Sequence, residues 1–254
     1  MQSECGAISQ LPYRCRLEWG RRGAQLAAER GDIVVIVDTL SFSSVIATAT
    51  HYGVEVYPCI NRAEADITGK LVGAEVAVRR VDVPTGGRYS LSPLTYVNAD
   101  MGARVALASP NGATCARIAK RAPAIYAGTL LNASATAAAI ALDCCAHNVT
   151  VLACGERWKS SDDDGELRFA IEDYLGAGAI LSLLPGAKSP EARLCELAFT
   201  SARSDLLDLL MRSSSGTELC EAGFADDVRH AASLDKYDNA AVLREERFVG
   251  IATS

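Results

Sequence analysis

Residues Ile33–Val37 read IVVIV, five branched apolar side chains in succession with no polar alternate. A strand with one wet face alternates; a strand without alternation is covered on both faces, as in parallel sheets flanked by helices. That run narrows the chain to a layered fold, and the rest of the pattern agrees. Further runs of strand length lie at Glu55–Pro58, Glu75–Val78, Arg104–Ala108, Ala124–Ala127 and Val149–Ala153. Helical patterns separate them at Ser43–His51, Arg62–Leu71, Ala113–Arg121, Ala133–Cys145 and Glu166–Leu184. Strand and helix alternate to about residue 185, which predicts an α/β class: a layered α/β/α arrangement with a mostly parallel or mixed sheet. The last third turns helical. Ser189–Met211 reads as a helix, Thr217–Leu234 as two short helices parted at Gly223, and Arg244–Ile251 as a final edge strand. We expect one domain over residues 1–254, with subdomains meeting near 185–215 as the other arrangement such a pattern allows.

The net charge of −6 and the lack of any basic cluster longer than Arg21-Arg22 or Arg79-Arg80 argue against a nucleic-acid partner, which would need clustered cations for its phosphates. The longest apolar stretch, Ala133–Ala146, is broken by Asp143, so no membrane span is expected, and the first residues lack the apolar run of a secretion signal. Nine scattered cysteines without a CxxC pair suit a reducing cytoplasm, and three histidines without helical pairing do not make a zinc or haem site. A small molecule is the expected partner, and a homo-oligomer is compatible with this reading.

In open α/β sheets ligands bind beyond the carboxyl ends of the strands, among loops and helix N-termini. Polar residues follow four of the predicted strands. Asp38, Ser43 and Ser44 follow the first; SPNGAT, with Asn111, Gly112 and Thr114, follows Arg104–Ala108; GTLLNAS, with Asn132, follows Ala124–Ala127; Glu156 and Arg157 follow Val149–Ala153. Asp38 has two readings. It ends the strand and caps the next helix, or it holds Mg²⁺, a hard cation that takes oxygen ligands. Ser43 and Ser44 can cap or donate to an anion. Glu172 and Asp173 lie within FAIEDYLGAGAIL, and carboxylates in an apolar helix are costly unless paired or metal-bound. Asp162–Asp164 reads as a solvated loop and Asp226-Asp227 as exposed helix charge.

The order VVIVDTLSFSS, SLSP, SPNGAT, GTLLNAS, ACG, ED with AGA, then SSSGTEL and GFADDV resembles the 2-phosphosulfolactate phosphatase family over about residues 17–250. The resemblance implies a magnesium-dependent enzyme that removes phosphate from 2-phospho-3-sulfolactate on the route to coenzyme M. It places the family's strand-end aspartate at Asp38, its asparagine-glycine-threonine loop at Asn111, Gly112 and Thr114, a later asparagine at Asn132, its glutamate-aspartate pair at Glu172-Asp173, and a late aspartate at Asp227. This chain also departs from the family. Ser41-Phe42-Ser43-Ser44 stands where arginine-alanine-threonine-threonine is common, Ala77-Val78-Arg79 where glycine-glutamate-arginine is, and RYSLSP where an acidic, glycine-rich stretch is. Ser41 cannot supply the fork that grips a tetrahedral anion, so Arg157 or Arg79 is expected to stand in.

These readings converge on a Mg²⁺-dependent phosphatase-like hydrolase for a small anionic metabolite. Asp38, Glu172 and Asp227 would hold the metal. Asp38, Glu172, Asp173 and Arg157 would carry the chemistry, and Ser43, Ser44, Asn111, Gly112, Thr114, Asn132 and Glu156 would bind substrate. The alternatives are an enzyme of the same fold with different small-molecule chemistry, or a catalytically silent binding protein.

Overall fold

A computed structural model describes residues 9–143, 147–158 and 167–253. β1 (Cys15–Trp19) and α1 (Gly20–Arg30) precede the IVVIV strand, β2 (Ile33–Val37), which leads into α2 (Phe42–His51). Next come β3 (Glu55–Cys59), α3 (Arg62–Val72), the two-residue β4 (Glu75–Val76), β5 (Arg104–Ala108) and α4 (Gly112–Ile118). β6 (Ile125–Ala127), α5 (Ala133–Asp143) and β7 (Val149–Ala153) continue the alternation, and a small pair, β8 (Glu156–Arg157) with β9 (Leu167–Arg168), stands before α6 (Ile171–Leu183). Four helices follow: α7 (Pro190–Ala202), α8 (Leu206–Arg212), α9 (Ser214–Glu221) and α10 (Ala225–Ala231). The hairpin β10 (Asn239–Arg244) and β11 (Arg247–Ala252) completes the described chain.

β2 is buried on both faces, as its unbroken apolar run requires. Val34 and Ile36 share a core with Ala24 and Ala27 of α1, Val45 and Ile46 of α2, and Ala113 and Ala116 of α4. Ile33, Val35 and Val37 share the opposite core with Ile140 of α5, Leu175 and Ile180 of α6, and Phe199 of α7. Each such side chain contributes about 1.5–3 kcal/mol by leaving water, so the strand is anchored from both sides and its end is held rigidly.

The sheet order is β1-β7-β2-β6-β10-β11-β3-β5-β4. β1, β7, β2 and β6 pair in parallel, as do β3, β5 and β4. The antiparallel hairpin bridges these blocks, making the sheet mixed. The strand expected at Arg244–Ile251 is therefore central, not an edge, and it begins at Arg247 with a partner, β10, that the pattern missed. The turn between them places Glu245 and Glu246 at φ 46° and 70°. Two-residue hairpins favour that left-handed geometry, and Asn-Gly or Asp-Gly is its usual sequence signal; two glutamates hide it. β1 was also missed, because Arg16 and Glu18 interrupt its apolar residues. The helix expected over Ser189–Met211 divides at a tight turn, Arg203–Asp205. Gly223 parts α9 from α10 at φ 88°, a conformation that glycine adopts without strain. Cys144, Cys145, Glu166 and the Asp162–Asp164 loop lie outside the described residues.

Among the described residues no helix is long and apolar enough to cross a membrane.

Candidate active site

Asp38 is the first residue past β2, and its carboxylate lies between two helix starts. Oδ1 accepts from the Phe42 N–H at 3.1 Å and Oδ2 from the Gly112 N–H at 2.9 Å. Phe42 and Gly112 open α2 and α4, so both donors are N–H groups that a helix leaves without an internal partner, at the end where its dipole favours an anion. Gly112 has no room for a side chain, since a Cβ there would fall on the Phe42 ring. Ser43 Oγ donates to the Ile36 carbonyl at 2.8 Å and accepts from the Asp38 N–H at 3.0 Å. Ser44 Oγ donates to the Thr39 carbonyl at 2.7 Å and lies 3.3 Å from Thr129 Oγ1. Both serines are fully buried and shape the loop that presents Asp38.

Three more carboxylates surround it. Asp173 accepts from the Thr39 N–H at 2.7 Å and the Gly155 N–H at 2.8 Å, tying the ends of β2 and β7 to the first turn of α6. Glu172, beside it, is 2 % exposed, and its carboxylate accepts no hydrogen bond from any described residue, while its carbonyl receives Thr39 Oγ1 at 3.0 Å. Glu156, just past β7, accepts from Asn111 Nδ2 at 3.0 Å. The acids sense one another. Burial pushes Asp38 up to about 6, with the Glu172 charge adding to the rise and the two N–H donors and Arg80 opposing it. Burial also pushes Glu156 up to about 7, helped by the Asp38 and Glu172 charges and opposed by Asn111 and Arg168. Asp173 is held well above the usual carboxylate range by burial and then by the charges of Asp38 and Glu172.

A cation reaches this group from an unexpected place. Arg80 Nη2 donates to Ser41 Oγ and to the Leu91 carbonyl, both at 2.7 Å, and Nε donates to Asp227 Oδ2 at 3.0 Å. Ser92, from SLSP, donates to the other Asp227 oxygen at 2.5 Å. Arg80 thus occupies the neighbourhood of the serine that stands where the family commonly carries arginine. Arg79, expected there from sequence, instead forms an exposed two-pronged pair with Asp82 at 2.8 and 2.9 Å. Asp227 is buried at 2 % exposure, contrary to the reading of Asp226-Asp227 as exposed charge, which Asp226 alone fits. Burial raises Asp227, opposed by Ser92 and Arg80. The adjacent arginines at 79–80 were the available signal, but spacing cannot say which of two neighbours turns inward.

Other nominated residues stand apart. The Asn132 amide is wholly engaged with backbone: Oδ1 accepts from the Thr129 N–H at 3.1 Å, and Nδ2 donates to the carbonyls of Asn239 at 3.3 Å and Ala127 at 3.5 Å. Thr114 is half-buried in the first turn of α4. Arg157 lines a cavity of about 220 Å³ together with Asn111, Trp19 and Cys154. Among the described residues no three His, Cys, Asp or Glu side chains converge closely enough to ligate one ion between them. Asp227, with one oxygen on Ser92 and the other on Arg80, does not join Asp38 and Glu172 in such a set.

Comparison with known proteins gives a consistent result. The family model described as 2-phosphosulpholactate phosphatase matches residues 22–246. A protein of Carboxydothermus hydrogenoformans named "Probable 2-phosphosulfolactate phosphatase" is 34 % identical, covering 81 % of this chain and 83 % of its own. One of the same name from Gloeobacter violaceus is 30 % identical, covering 80 % and 85 %. The "2-phosphosulfolactate phosphatase" of Methanocaldococcus jannaschii is 25 % identical, covering 85 % and 91 %.

Proposed function

The chain belongs to the 2-phosphosulpholactate phosphatase family, and on that premise we propose that it is a phosphoric monoester hydrolase for a small anionic phosphoester, centred on Asp38. One observation supports the centre above the others: Asp38 at the end of β2, Glu156 in β8 and Glu172-Asp173 in the first turn of α6 bring four carboxylates together, and the Glu172 charge helps raise the other three. Like charges held close repel, and a bound cation would relieve that repulsion. Mg²⁺ takes one or two carboxylates and keeps waters and phosphate oxygens as its remaining ligands. Asp38 and Glu172 suit that number, without Asp227. When bound, the ion would polarise a phosphoryl oxygen.

The chain's own groups have separable tasks in this reading. Water attacks phosphorus as the ester P–O bond breaks; Glu156, pushed up to about 7, gives its proton to the departing alkoxide oxygen and is reprotonated by the proton that the attacking water sheds, leaving the free alcohol and phosphate. Asn111 Nδ2 orients the Glu156 carboxyl. The α2 and α4 N-termini hold the Asp38 carboxylate in place, and Asp173 ties the ends of β2 and β7 to α6. A reducing compartment such as the cytoplasm suits the free thiols of Cys59, Cys115, Cys154, Cys195 and Cys220. Phosphate release from 2-phosphosulfolactate and related monoesters, measured with MgCl₂ and again with EDTA, tests the proposal. Release that EDTA abolishes and MgCl₂ restores supports it. Release indifferent to EDTA removes the metal from the reading, and no release from any ester removes the phosphatase.

A further inference from the structure

A cleft of about 660 Å³, in the size range of small-molecule sites, has Arg80 in its wall. None of Asp38, Glu156, Glu172 and Asp173 lines it; its charged lining is Arg62, Arg79, Arg80 and a single carboxylate, Asp82. A guanidinium carries five N–H groups, and each of these three is only partly used. Arg62 donates through Nε to Asp66 at 2.8 Å and through Nη1 to the Ala77 carbonyl at 3.0 Å. Arg79 spends Nε and Nη2 on Asp82. Arg80 spends Nε on Asp227 and Nη2 on Ser41 and Leu91, while the Phe224 ring packs 5.7 Å from its guanidinium carbon. That leaves Nη2 of Arg62 and Nη1 of Arg79 and of Arg80 donating to no described residue. Asp66 and Asp227 hold their arginines from outside the cleft lining, so the cavity itself meets three cations and one acid. Its remaining walls include Val78, Leu91, Leu107 and Leu219. Hydrocarbon of that kind screens charge poorly and concentrates the field of the arginines on whatever enters.

We infer that this cleft is a second ligand site, separate from the Asp38 centre, which takes a small molecule through a phosphate group held by the unfilled donors of Arg62, Arg79 and Arg80. A tetrahedral dianion accepts several charge-assisted hydrogen bonds at once, and the planar guanidinium fork suits its oxygens. It also relieves the mutual repulsion of three arginines brought to one cavity, which Asp82 alone offsets only in part. The ligand is bound and not hydrolysed there, because the carboxylates to which the chemistry was assigned lie elsewhere. Free phosphate and the phosphate of an organic monoester share this chemistry.

Isothermal titration calorimetry on the purified full chain tests this, with inorganic phosphate and glycerol 3-phosphate as probes and EDTA present to keep metal-held anions out of the Asp38 pocket. At least one probe should bind saturably. Arg62→Gln combined with Arg79→Gln should weaken that binding by at least about tenfold, since two charge-assisted donors are lost. Asp38→Asn should change it by no more than about twofold, as expected of a separate site. If the melting curve of the double variant shows misfolding, Val81→Glu carries the same test: the position is 68 % exposed on the cleft wall, and a carboxylate there opposes the anion. The tighter probe names the source, glycerol 3-phosphate pointing to an organic monoester and inorganic phosphate to the free ion. Binding of neither probe, or binding that the folded cleft variants leave unchanged, overturns the inference. Calorimetry reads the cleft without turnover, so a chain that hydrolyses no ester loses the phosphatase reading and keeps this one.

Discussion

The two ends of β2 carry two buried aspartates, six residues apart in sequence, in opposite surroundings. Asp32, just before the strand, is fully buried and met by cations: Arg16 Nη1 at 2.5 Å, Arg30 Nε at 2.9 Å, and the Thr150 hydroxyl at 2.7 Å. Asp38, just past it, is met by two backbone N–H groups and by other carboxylates. A folding chain gains nothing from crowding acids together, so the first end reads as architecture and the second as chemistry. Like charges kept close in a rigid pocket are the means by which active sites move a carboxylate toward neutral pH.

Asp32→Ala is the severest way to break that contrast. It leaves the Arg16 guanidinium, itself 1 % exposed, buried without its carboxylate. Losing one partner of a buried pair costs about 3–5 kcal/mol, read as a lower denaturant midpoint. Turnover per folded molecule should persist, and a variant that melts normally would show that the network is dispensable.

Asp38→Asn should do the reverse. Turnover falls by at least about 10²-fold. Stability changes by no more than about 1 kcal/mol, because the amide gives up one N–H contact but also a buried charge. Full retained activity would reduce Asp38 to a helix cap, the plainer of its two sequence readings.

Glu156→Gln sharpens the comparison through pH. The folded-state value, about 7, lies above the ordinary 4.5, so the folded protein keeps a proton that the unfolded chain releases. Stability from this group is present below about pH 4.5 and is lost as pH rises through about 7. Glutamine keeps the neutral form throughout. The variant should therefore be the more stable above pH 7, by about 2 kcal/mol once the side chain's partial exposure is allowed for. Its turnover should fall, and the alkaline limb of the wild-type rate profile near pH 7 should disappear. A limb that survives the substitution assigns the proton to another group.

Much of this was legible beforehand, for reasons that differ by residue. The IVVIV run specified β2 because burial on both faces leaves no other reading, and the strand-end rule led directly to Asp38, Asn111 and Glu156. Glu172 and Asp173 stood out because acids in an apolar helix demand an explanation. What stayed hidden depended on contacts between distant segments. Arg16 and Glu18 look like loop residues until Asp32 and Arg30 come to meet them. Arg80 and Ser92 acquire meaning only when α10 brings Asp227 between them. Asn132 occupies a promising position after β6, yet its amide bonds to backbone, and only coordinates could distinguish that from a ligand contact.

The smallest effect belongs to Glu18, at the outer edge of the Asp32 network. It accepts from Arg30 Nη1 at 2.9 Å, but burial still raises its carboxyl above the ordinary value, ahead of the opposing pull of Arg30. Ionising Glu18 is therefore slightly unfavourable in the fold, so its contribution is present below the unfolded value of 4.5 and declines as pH rises through the raised one. Glu18→Gln keeps an oxygen for Arg30 and leaves Asp32 paired with both arginines. At pH 7 the variant should match or slightly exceed the wild type, within about 1 kcal/mol, with turnover unchanged because the site lies at the far end of β2. A clear destabilisation would mean that the Glu18 charge, and not Asp32 alone, balances Arg16 and Arg30, and the architectural end of the strand would then be a four-member network rather than one aspartate held by two arginines.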